Sequence, residues 1–301
     1  MGYRIAIAAS IGILGASAAF ALPAFTDWRA PTNAEQVPGA SPVLNSPAVD
    51  GCVSLSRDGL EMYFNSNRAG SQDIYVARRA SRSDGFGTPE PLPSTINTAA
   101  TEFCPTSVQG NRLYFSRSRT GDPGDLMVSR YGPSGWGTPV ALGPEINSPL
   151  MEEAADLFED DTGRDVLIFS RRPATGPGGQ IFQSIEGGAA TLVAGGPNAG
   201  GGNNRATITH DGLTILFDST RPGGTGGVDL WMATRGATGQ AFGPATPLTG
   251  LNSAGFDARP SLSWDASELY FSSDRAGSES VAPDIWRTVR ERAGGPKTIT
   301  F

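Results

Sequence analysis

Short apolar segments, each broken by alternating polar residues, recur along the chain about every fifty residues. One marker is an apolar run that ends in Phe, and its five copies are Met62–Phe64, Leu113–Phe115, Leu167–Phe169, Ile215–Phe217 and Leu269–Phe271. A second marker is Asn followed five residues later by an acid, or by Asn in the fourth copy: Asn45/Asp50, Asn97/Glu102, Asn147/Glu152, Asn198/Asn203 and Asn252/Asp257. Phe64 to Phe271 and Asn45 to Asn252 both span 207 residues. This agreement indicates one unit repeated five times.

Each unit predicts four short antiparallel strands. The first alternates, as in Cys52–Ser56, and a turn separates it from the apolar second strand. A glycine-rich loop leads to a third strand such as Asp73–Val76, and an aromatic–Gly pair such as Trp136-Gly137 precedes the fourth. Short alternating strands with turn residues between them favour sheet over helix. A four-stranded unit of this period is typical of a propeller blade, because one twisted sheet cannot bury both faces alone.

The two ends of the chain predict how the ring closes. The fifth unit stops after Asp284–Trp286 and lacks the aromatic–Gly strand, whereas Trp28–Pro31 resembles that strand in the second unit. Residues 28–44 are therefore predicted to complete the last blade, which removes a free sheet edge. The prediction is all-β: a five-bladed propeller of four-stranded antiparallel blades, forming one domain over residues 22–301.

Composition removes several classes of function. Lys plus Arg is 23 against 30 for Asp plus Glu, so the net charge is -7 and the pI is near 4.8, opposite to the balance of a nucleic-acid binder. Lys297 is the single lysine and His210 the single histidine. We therefore expect neither a Walker lysine, nor a Schiff-base lysine, nor a two-histidine metal site.

The first residues have the features of a secretory signal peptide over residues 1–21. Arg4 supplies the positive charge, Ile5–Leu14 is an apolar run too short to span a bilayer, and Ala19–Ala21 fits the small-x-small cleavage rule. The mature chain is predicted to be periplasmic or secreted, without stable membrane insertion. The alternative is an uncleaved membrane anchor.

The repeat resembles a known family. The unit is similar to the TolB-type, WD-like β-propeller repeat of exported bacterial proteins. The shared pattern is Ser-x-Asp-Gly, then Leu-Tyr-Phe-x-Ser-x-Arg, then a Gly-rich loop and Asp-Ile-Trp, and its best copies are Ser56–Tyr75 and Leu262–Trp286. The resemblance covers all five units. It implies the propeller fold and an envelope setting, while the family includes scaffolds and peptidase-associated propellers.

Two sets of polar residues repeat in most blades. Arg68, Arg119, Arg221 and Arg275 follow the blade Phe by four residues, and Asp73, Asp125, Asp229 and Asp284 open the third strand. An Arg and an Asp that flank one loop can pair bidentately. We expect these residues to be structural pairs that tie the second strand to the third.

Five equivalent positions precede the innermost strands: Asp50, Glu102, Glu152, Asn203 and Asp257. In a propeller these strands line the central channel, so the side chains are candidates for a binding ring at one channel mouth, with Arg205 and Arg259 as partners. Three roles stay open at this point. They are hydrogen bonding between blades, a hard-cation site for Ca²⁺, and a carboxylate pair that cleaves glycans.

Three further features have a candidate chemistry. Cys52 and Cys104 occupy matching points on neighbouring inner strands, which leaves a disulfide or two buried thiols as alternatives. His210 is expected to be a surface residue of a hairpin turn, equivalent to Arg57 and Trp264. Glu159–Asp161 is expected to form an acidic, solvated hairpin.

These residues favour a non-enzymatic binding scaffold over an enzyme. No catalytic residue and no cofactor is assigned, and the expected partner is an envelope protein, a peptide or a glycan bound to a monomer. The alternative is a carbohydrate-active hydrolase or lyase that uses the channel-mouth carboxylates.

Overall fold

A computed structural model describes residues 25–108, 111–173 and 178–293 of the chain. The predicted signal peptide and Lys297 lie outside the described residues. Within these ranges, no helix has the length and apolar character needed to cross a membrane.

Five antiparallel sheets form the blades of a propeller, and each contains four strands counted from the channel outward. Blade 1 contains Asp50–Leu55, Glu61–Ser66, Asp73–Arg78 and Glu90–Pro91. Blade 2 contains Thr101–Val108, Arg112–Arg119, Asp122–Gly132 and Val140–Ala141, with an added strand, Gly135–Trp136, on the end of the third. Blade 3 contains Met151–Glu159, Asp165–Arg172, Gln180–Ile185 and Thr191–Leu192. Blade 4 contains Asn203–Ile208, Thr214–Ser219, Asp229–Thr234 and Thr246–Pro247. Blade 5 contains Asp257–Leu262, Glu268–Ser273 and Asp284–Val289, completed by Thr32–Asn33.

The inner strands form a ring, since the first strand of each blade contacts the first strands of both neighbouring blades. We call the face where these strands begin the upper face and the face where they end the lower face. The helical elements among the described residues are two short 3-10 turns, Ala34–Gln36 and Gly196–Asn198. The predicted fold is confirmed.

The N-terminal segment closes the last blade as predicted. Thr32 lies opposite Arg287, and Asn33 lies opposite Trp286. The Asn45 side chain also fixes this junction, because its Oδ1 accepts the N–H of Ile285 at 2.8 Å. The other copies of the Asn marker bond the third strand of the preceding blade in the same way: Asn97 to Ile74, Asn147 to Leu126, Asn198 to Ile181 and Asn252 to Leu230. The Asn repeat therefore encodes the junction between blades.

The apolar core lies between the blades. The five Phe residues that end the apolar runs are fully buried. Five clusters of buried apolar residues in the described part of the chain each combine side chains from two adjacent blades, including one between blades 1 and 5. Because truncating a buried Phe to Ala typically costs about 3–5 kcal/mol, each interface contributes substantially to holding the ring together.

Every inner strand contains a β-bulge two residues after its equivalent acid or Asn. The bulged residues all have positive φ: Cys52 (49°), Cys104 (45°), Ala154 (54°), Arg205 (41°) and Arg259 (58°). Positive φ is costly for a residue with a side chain, and a bulge re-aims side chains. Here the bulge directs all five side chains toward the channel.

Cys52 and Cys104 form a disulfide between neighbouring strands in the wall of the channel, with Cα atoms 4.7 Å apart. The bond joins the inner strands of blades 1 and 2. Both cysteines are almost fully buried.

We predict that the double variant C52A/C104A unfolds with a free energy about 2–4 kcal/mol below that of the wild type, because the cross-link restricts the unfolded chain. Alanine suits this backbone, since Ala154 occupies the equivalent bulge in blade 3. Urea unfolding with and without reductant provides the measurement. If the two proteins have the same midpoint and reductant leaves the wild type unchanged, the disulfide has no stabilising role.

Glu35 gives the closing segment a dependence on pH. Burial raises the pKa of Glu35 from 4.5 to about 7. The hydrogen bond from the Asn45 N–H opposes this shift, and the nearby Glu279 and Asp284 add to it. The folded protein therefore binds this proton more tightly than the unfolded chain. The resulting stability is fully present below pH 4.5 and is lost as the pH rises through 7.

We expect the free energy of unfolding to fall with rising pH between these two values, and the fall to be smaller in E35Q, which cannot ionise. Urea unfolding at a series of pH values measures the difference between the two proteins. Parallel profiles would show that Glu35 titrates normally in the folded state.

Candidate functional site

The five equivalent inner-strand residues lie at the upper face and are buried. Asp50, Glu102, Glu152 and Asp257 are 0% exposed, and Asn203 is 1% exposed. The fold therefore places them together on one level of the ring, as the repeat predicted. Their oxygens, however, are occupied by partners at the blade junctions.

Each of these side chains takes part in a clamp with an Arg that lies near the end of the second strand of its own blade or two residues beyond it. In blade 1, Asp50 Oδ1 accepts from Arg68 Nη2 at 2.7 Å, and Oδ2 accepts from the N–H and hydroxyl of Ser46. Arg68 Nη2 also donates to the Leu44 carbonyl. The same arrangement recurs as Glu102–Arg117, Glu152–Arg171, Asn203–Arg221 and Asp257–Arg275. We call these five pairs the acid–arginine clamps, although Asn replaces the acid in blade 4.

The length of the acid matches the position of its arginine. Blades 2 and 3 use Glu with an Arg two residues after the blade Phe, and the Arg donates through Nε. Blades 1 and 5 use Asp with an Arg four residues after the Phe. In blade 5 the Ser273 hydroxyl fills the intervening space by donating to Asp257.

Two predicted pairings are wrong. Arg205 and Arg259 do not hold the four acids and Asn203; Arg205 lies 3.4 Å from Glu153 and 3.8 Å from Asp218. The second-strand arginines do not pair with the third-strand aspartates either. Arg68, Arg221 and Arg275 pair in the clamps, and Arg119 is exposed.

Three of the third-strand aspartates instead accept hydrogen bonds within or near their own loops. Asp73 accepts from Ser71, Asp229 from the N–H groups of Thr225 and Gly226, and Asp284 from the N–H of Glu279. Burial raises the pKa of the fourth, Asp125. These residues order the loops at the upper face.

The five bulged residues form a waist that divides the channel into two cavities. The lower cavity has a volume of about 370 Å³ and is bounded by the ends of the inner strands. The upper cavity has a volume of about 240 Å³ and is bounded by their beginnings. Cys104, Arg205 and Arg259 line both. Sequence reasoning placed these residues near the channel but did not predict the division.

A stack of three side chains stands at the mouth of the lower cavity. The rings of His210 and Trp264 have centroids 3.8 Å apart, and the Arg57 guanidinium lies 4.5 Å from the Trp264 ring. Burial, together with the charge of Arg57, lowers the pKa of His210. His210 is a largely exposed turn residue. Its equivalence to Arg57 and Trp264 in the repeat is the sequence signal for this stack, but equivalence alone does not predict the contact.

Carboxylates of blade 3 line the wall and rim of the lower cavity. Asp156 Oδ2 accepts from the Thr207 hydroxyl at 2.8 Å and from the Ile208 N–H at 2.9 Å. Burial raises the pKa of Asp156 despite these bonds. Glu159 and Asp165 line the same cavity. In the hairpin between them, hydrogen bonds from Thr162 and Arg164 lower the pKa of Asp160, so the acidic hairpin is held by its own residues.

Within residues 25–108, 111–173 and 178–293, no group of three or more His, Cys, Asp or Glu side chains is arranged to hold a metal ion. The oxygens considered for Ca²⁺ are those of the acid–arginine clamps. Their Ser, Thr and Arg donors occupy the space that a hard cation needs.

Solved structures share this architecture. A thermostable family-43 glycoside hydrolase aligns with a TM-score of 0.58 and 12% identity, over 84% of this chain and 92% of that chain. An α-L-arabinofuranosidase from Podospora anserina aligns with a TM-score of 0.57 and 10% identity, over 90% and 98% of the two chains. TolB from Acinetobacter baumannii aligns with a TM-score of 0.51 and 16% identity, over 88% of this chain and 63% of that one. No family model and no curated protein sequence matches the chain. At these identities the likeness establishes the five-bladed propeller fold, which TolB and the glycoside hydrolases have in common.

The clamps give a stability prediction. R117A leaves Glu102 buried without its cation, so we expect the free energy of unfolding to fall by about 3–5 kcal/mol. The matched control is R119A, which removes an exposed Arg two residues away and should change stability by less than about 0.5 kcal/mol. Denaturant unfolding of both variants measures the difference, and equal effects would contradict a structural role for the clamp.

Proposed function

We propose that the protein is a non-enzymatic, TolB-like binding propeller of the cell envelope, whose lower cavity holds a segment of a peptide or glycan. One observation carries the proposal. The four channel-mouth acids that would have to perform acid–base chemistry are buried and bonded to Arg, Ser and Thr, whereas the lower cavity is open and has the size of a ligand site.

The lining of the lower cavity suits binding. Trp264 offers a large apolar surface with low conformational entropy, and Arg57 and His210 beside it provide polar groups. Trp and Arg are among the residues that most often form the hot spots of binding surfaces. Deeper in the cavity, Thr106 and Thr207 add hydroxyl groups.

Export is part of the proposal. The apolar N-terminal segment has the form of a secretory signal, and the Cys52–Cys104 disulfide suits an oxidising compartment. Both features favour the periplasm or the exterior over the cytosol.

A carbohydrate-active hydrolase is the second candidate, and Asp156 is the observation that favours it. Its raised pKa and position in the lower cavity are properties of a general acid. Both of its oxygens, however, accept hydrogen bonds from the protein, including one from the N–H of Leu157 to Oδ1. Binding therefore remains the better interpretation.

Peptide and glycan arrays test the proposal with three proteins. We expect the wild type to bind one class, W264A to bind it at least about tenfold more weakly because the mouth of the lower cavity is lost, and Y131A to bind normally. Tyr131 is an exposed aromatic of blade 2 that does not line either cavity.

The same preparations are assayed for release of reducing sugar from arabinan and other glycans. Turnover by the wild type that is lost in D156N would replace the binding proposal with the hydrolase. Binding that W264A and Y131A reduce equally would locate the site elsewhere.

A further inference from the structure

The upper cavity is a second, separate polar compartment. Its wall includes Asn65, Arg172, Arg205 and Arg259, together with the single carboxylate Glu153. It is bounded by the beginnings of the inner strands, on the other side of the waist from Trp264 and His210. It shares Cys104, Arg205 and Arg259 with the lower cavity, whereas Asn65, Glu153 and Arg172 line the upper cavity alone.

Charges around this cavity do not balance. Three guanidinium groups, of Arg172, Arg205 and Arg259, meet two carboxylates, of Glu153 and Asp218. Glu153 Oε1 accepts from Arg172 Nε at 2.7 Å and lies 3.4 Å from Arg205, which in turn reaches Asp218. Burial works to raise the pKa of Glu153, but Arg205 and Arg172 hold it below its usual value. Burial raises the pKa of Asp218, although Arg205 opposes the shift. With both acids ionised, Arg172 and Arg205 pair with them, and Arg259 is left as a surplus of one positive charge.

Hydrogen-bond donors are also in excess. Arg259 Nε, Arg259 Nη1, Arg205 Nε and Asn65 Nδ2 are buried without a hydrogen-bond partner among the described residues. Asn65 Oδ1 accepts the N–H of Cys104 at 3.1 Å, which leaves Nδ2 as the free end of the amide. The unbonded acceptors of the neighbouring residues are Glu153 Oε2, Asp218 Oδ1 and Asn204 Oδ1, and the unbonded hydroxyls of Ser116 and Ser272 can donate or accept. A buried donor without a partner is costly, so the cavity favours an added acceptor.

Arg259 shows the same imbalance in its ionisation. Burial, with the neighbouring Arg205, lowers the pKa of Arg259 to about 10 despite the charges of Glu153 and Asp218. The guanidinium remains charged at neutral pH. An anion beside it would relieve the cost of keeping that charge out of water.

We propose that the upper cavity binds a singly charged oxyanion, a carboxylate, held by Arg205 and Arg259 with Asn65 as a third donor. One negative charge neutralises the surplus that the cavity carries, and a planar carboxylate matches the fork of a guanidinium. The site includes Arg205 and Arg259 of the waist, which also line the lower cavity, but it uses none of the groups at the mouth of the lower cavity. It therefore goes beyond the proposed binding function and does not depend on it.

Sodium acetate is the probe. Spectra of the arginine Nε–H groups are recorded as acetate replaces chloride at constant ionic strength. We expect two Nε–H signals to shift saturably in the wild type. R259A should weaken the apparent Kd by at least about tenfold through loss of charge-assisted bonds. We expect R259A to fold for two reasons. Alanine already occupies the equivalent bulge of blade 3, as Ala154, and the loss of Arg259 leaves two cations facing two anions.

Two further variants complete the design. N65S introduces the residue that blades 2, 3 and 5 carry at this position, namely Ser116, Ser170 and Ser272. It removes the Nδ2 donor, and its hydroxyl can replace Oδ1 as the acceptor for the bulge, as Ser170 Oγ does by accepting the N–H of Arg205 at 2.7 Å. We expect a several-fold weaker Kd in a folded protein. R57A removes an Arg of the lower cavity and should leave the Kd unchanged.

Three results would overturn the assignment. The first is the absence of any saturable shift in the wild type, which needs no variant to fold. The second is an equal loss of binding in R57A and R259A, which would indicate general attraction of anions. The third is a shift with sodium sulfate but not with acetate, which would exclude a site for a single negative charge.

Discussion

The acid–arginine clamp is the interaction on which the rest of the ring depends. In each blade it joins three segments: the start of the inner strand, the end of the second strand, and the carbonyl before the Asn that bonds the preceding blade. In blade 2 these are Glu102, Arg117 and Ile96. A twisted four-stranded sheet has two faces to cover, so a blade is stable only when its neighbours are held at a fixed angle. The clamp supplies that constraint with a buried ion pair in blades 1, 2, 3 and 5, and with the amide of Asn203 bonded to Arg221 in blade 4.

Much of this architecture could be predicted from the repeat. The Phe ladder located the second strands, the Asn ladder located the blade junctions, and the unpaired N-terminal segment indicated closure. The partner of the repeated Arg could not be predicted from spacing. Ser66 lies opposite Asp50 on one side and Asp73 on the other, so Arg68 has an acid on each neighbouring strand within reach. Side-chain direction decides between them, and the sequence does not specify it.

The channel was harder to anticipate for a different reason. A bulge inserts one extra residue and changes which side chains face inward, and its positive φ is usually signalled by Gly or Asn. Here the position carries Cys, Ala or Arg, so the usual signal is missing. The result is that Arg205 and Arg259 face the channel, while Asn203 and Asp257, two residues earlier in each strand, face the clamps. In a regular strand, residues two apart lie on the same face of the sheet, so a regular strand would have placed each Arg on the same face as its Asn or Asp.

Ring closure by the N-terminal segment has a kinetic consequence. Asn45 and its partner Ile285 are 240 residues apart in sequence, and contacts between such distant residues form slowly. The nascent ring stays an open arc until the last strand has been made, and its terminal sheet exposes an unpaired edge that other chains can join. Blades 1 and 2, by contrast, contact each other early and can be cross-linked while the remaining blades are still unfolded. This arrangement favours assembly from the amino-terminal blades outward, with the sealing step last.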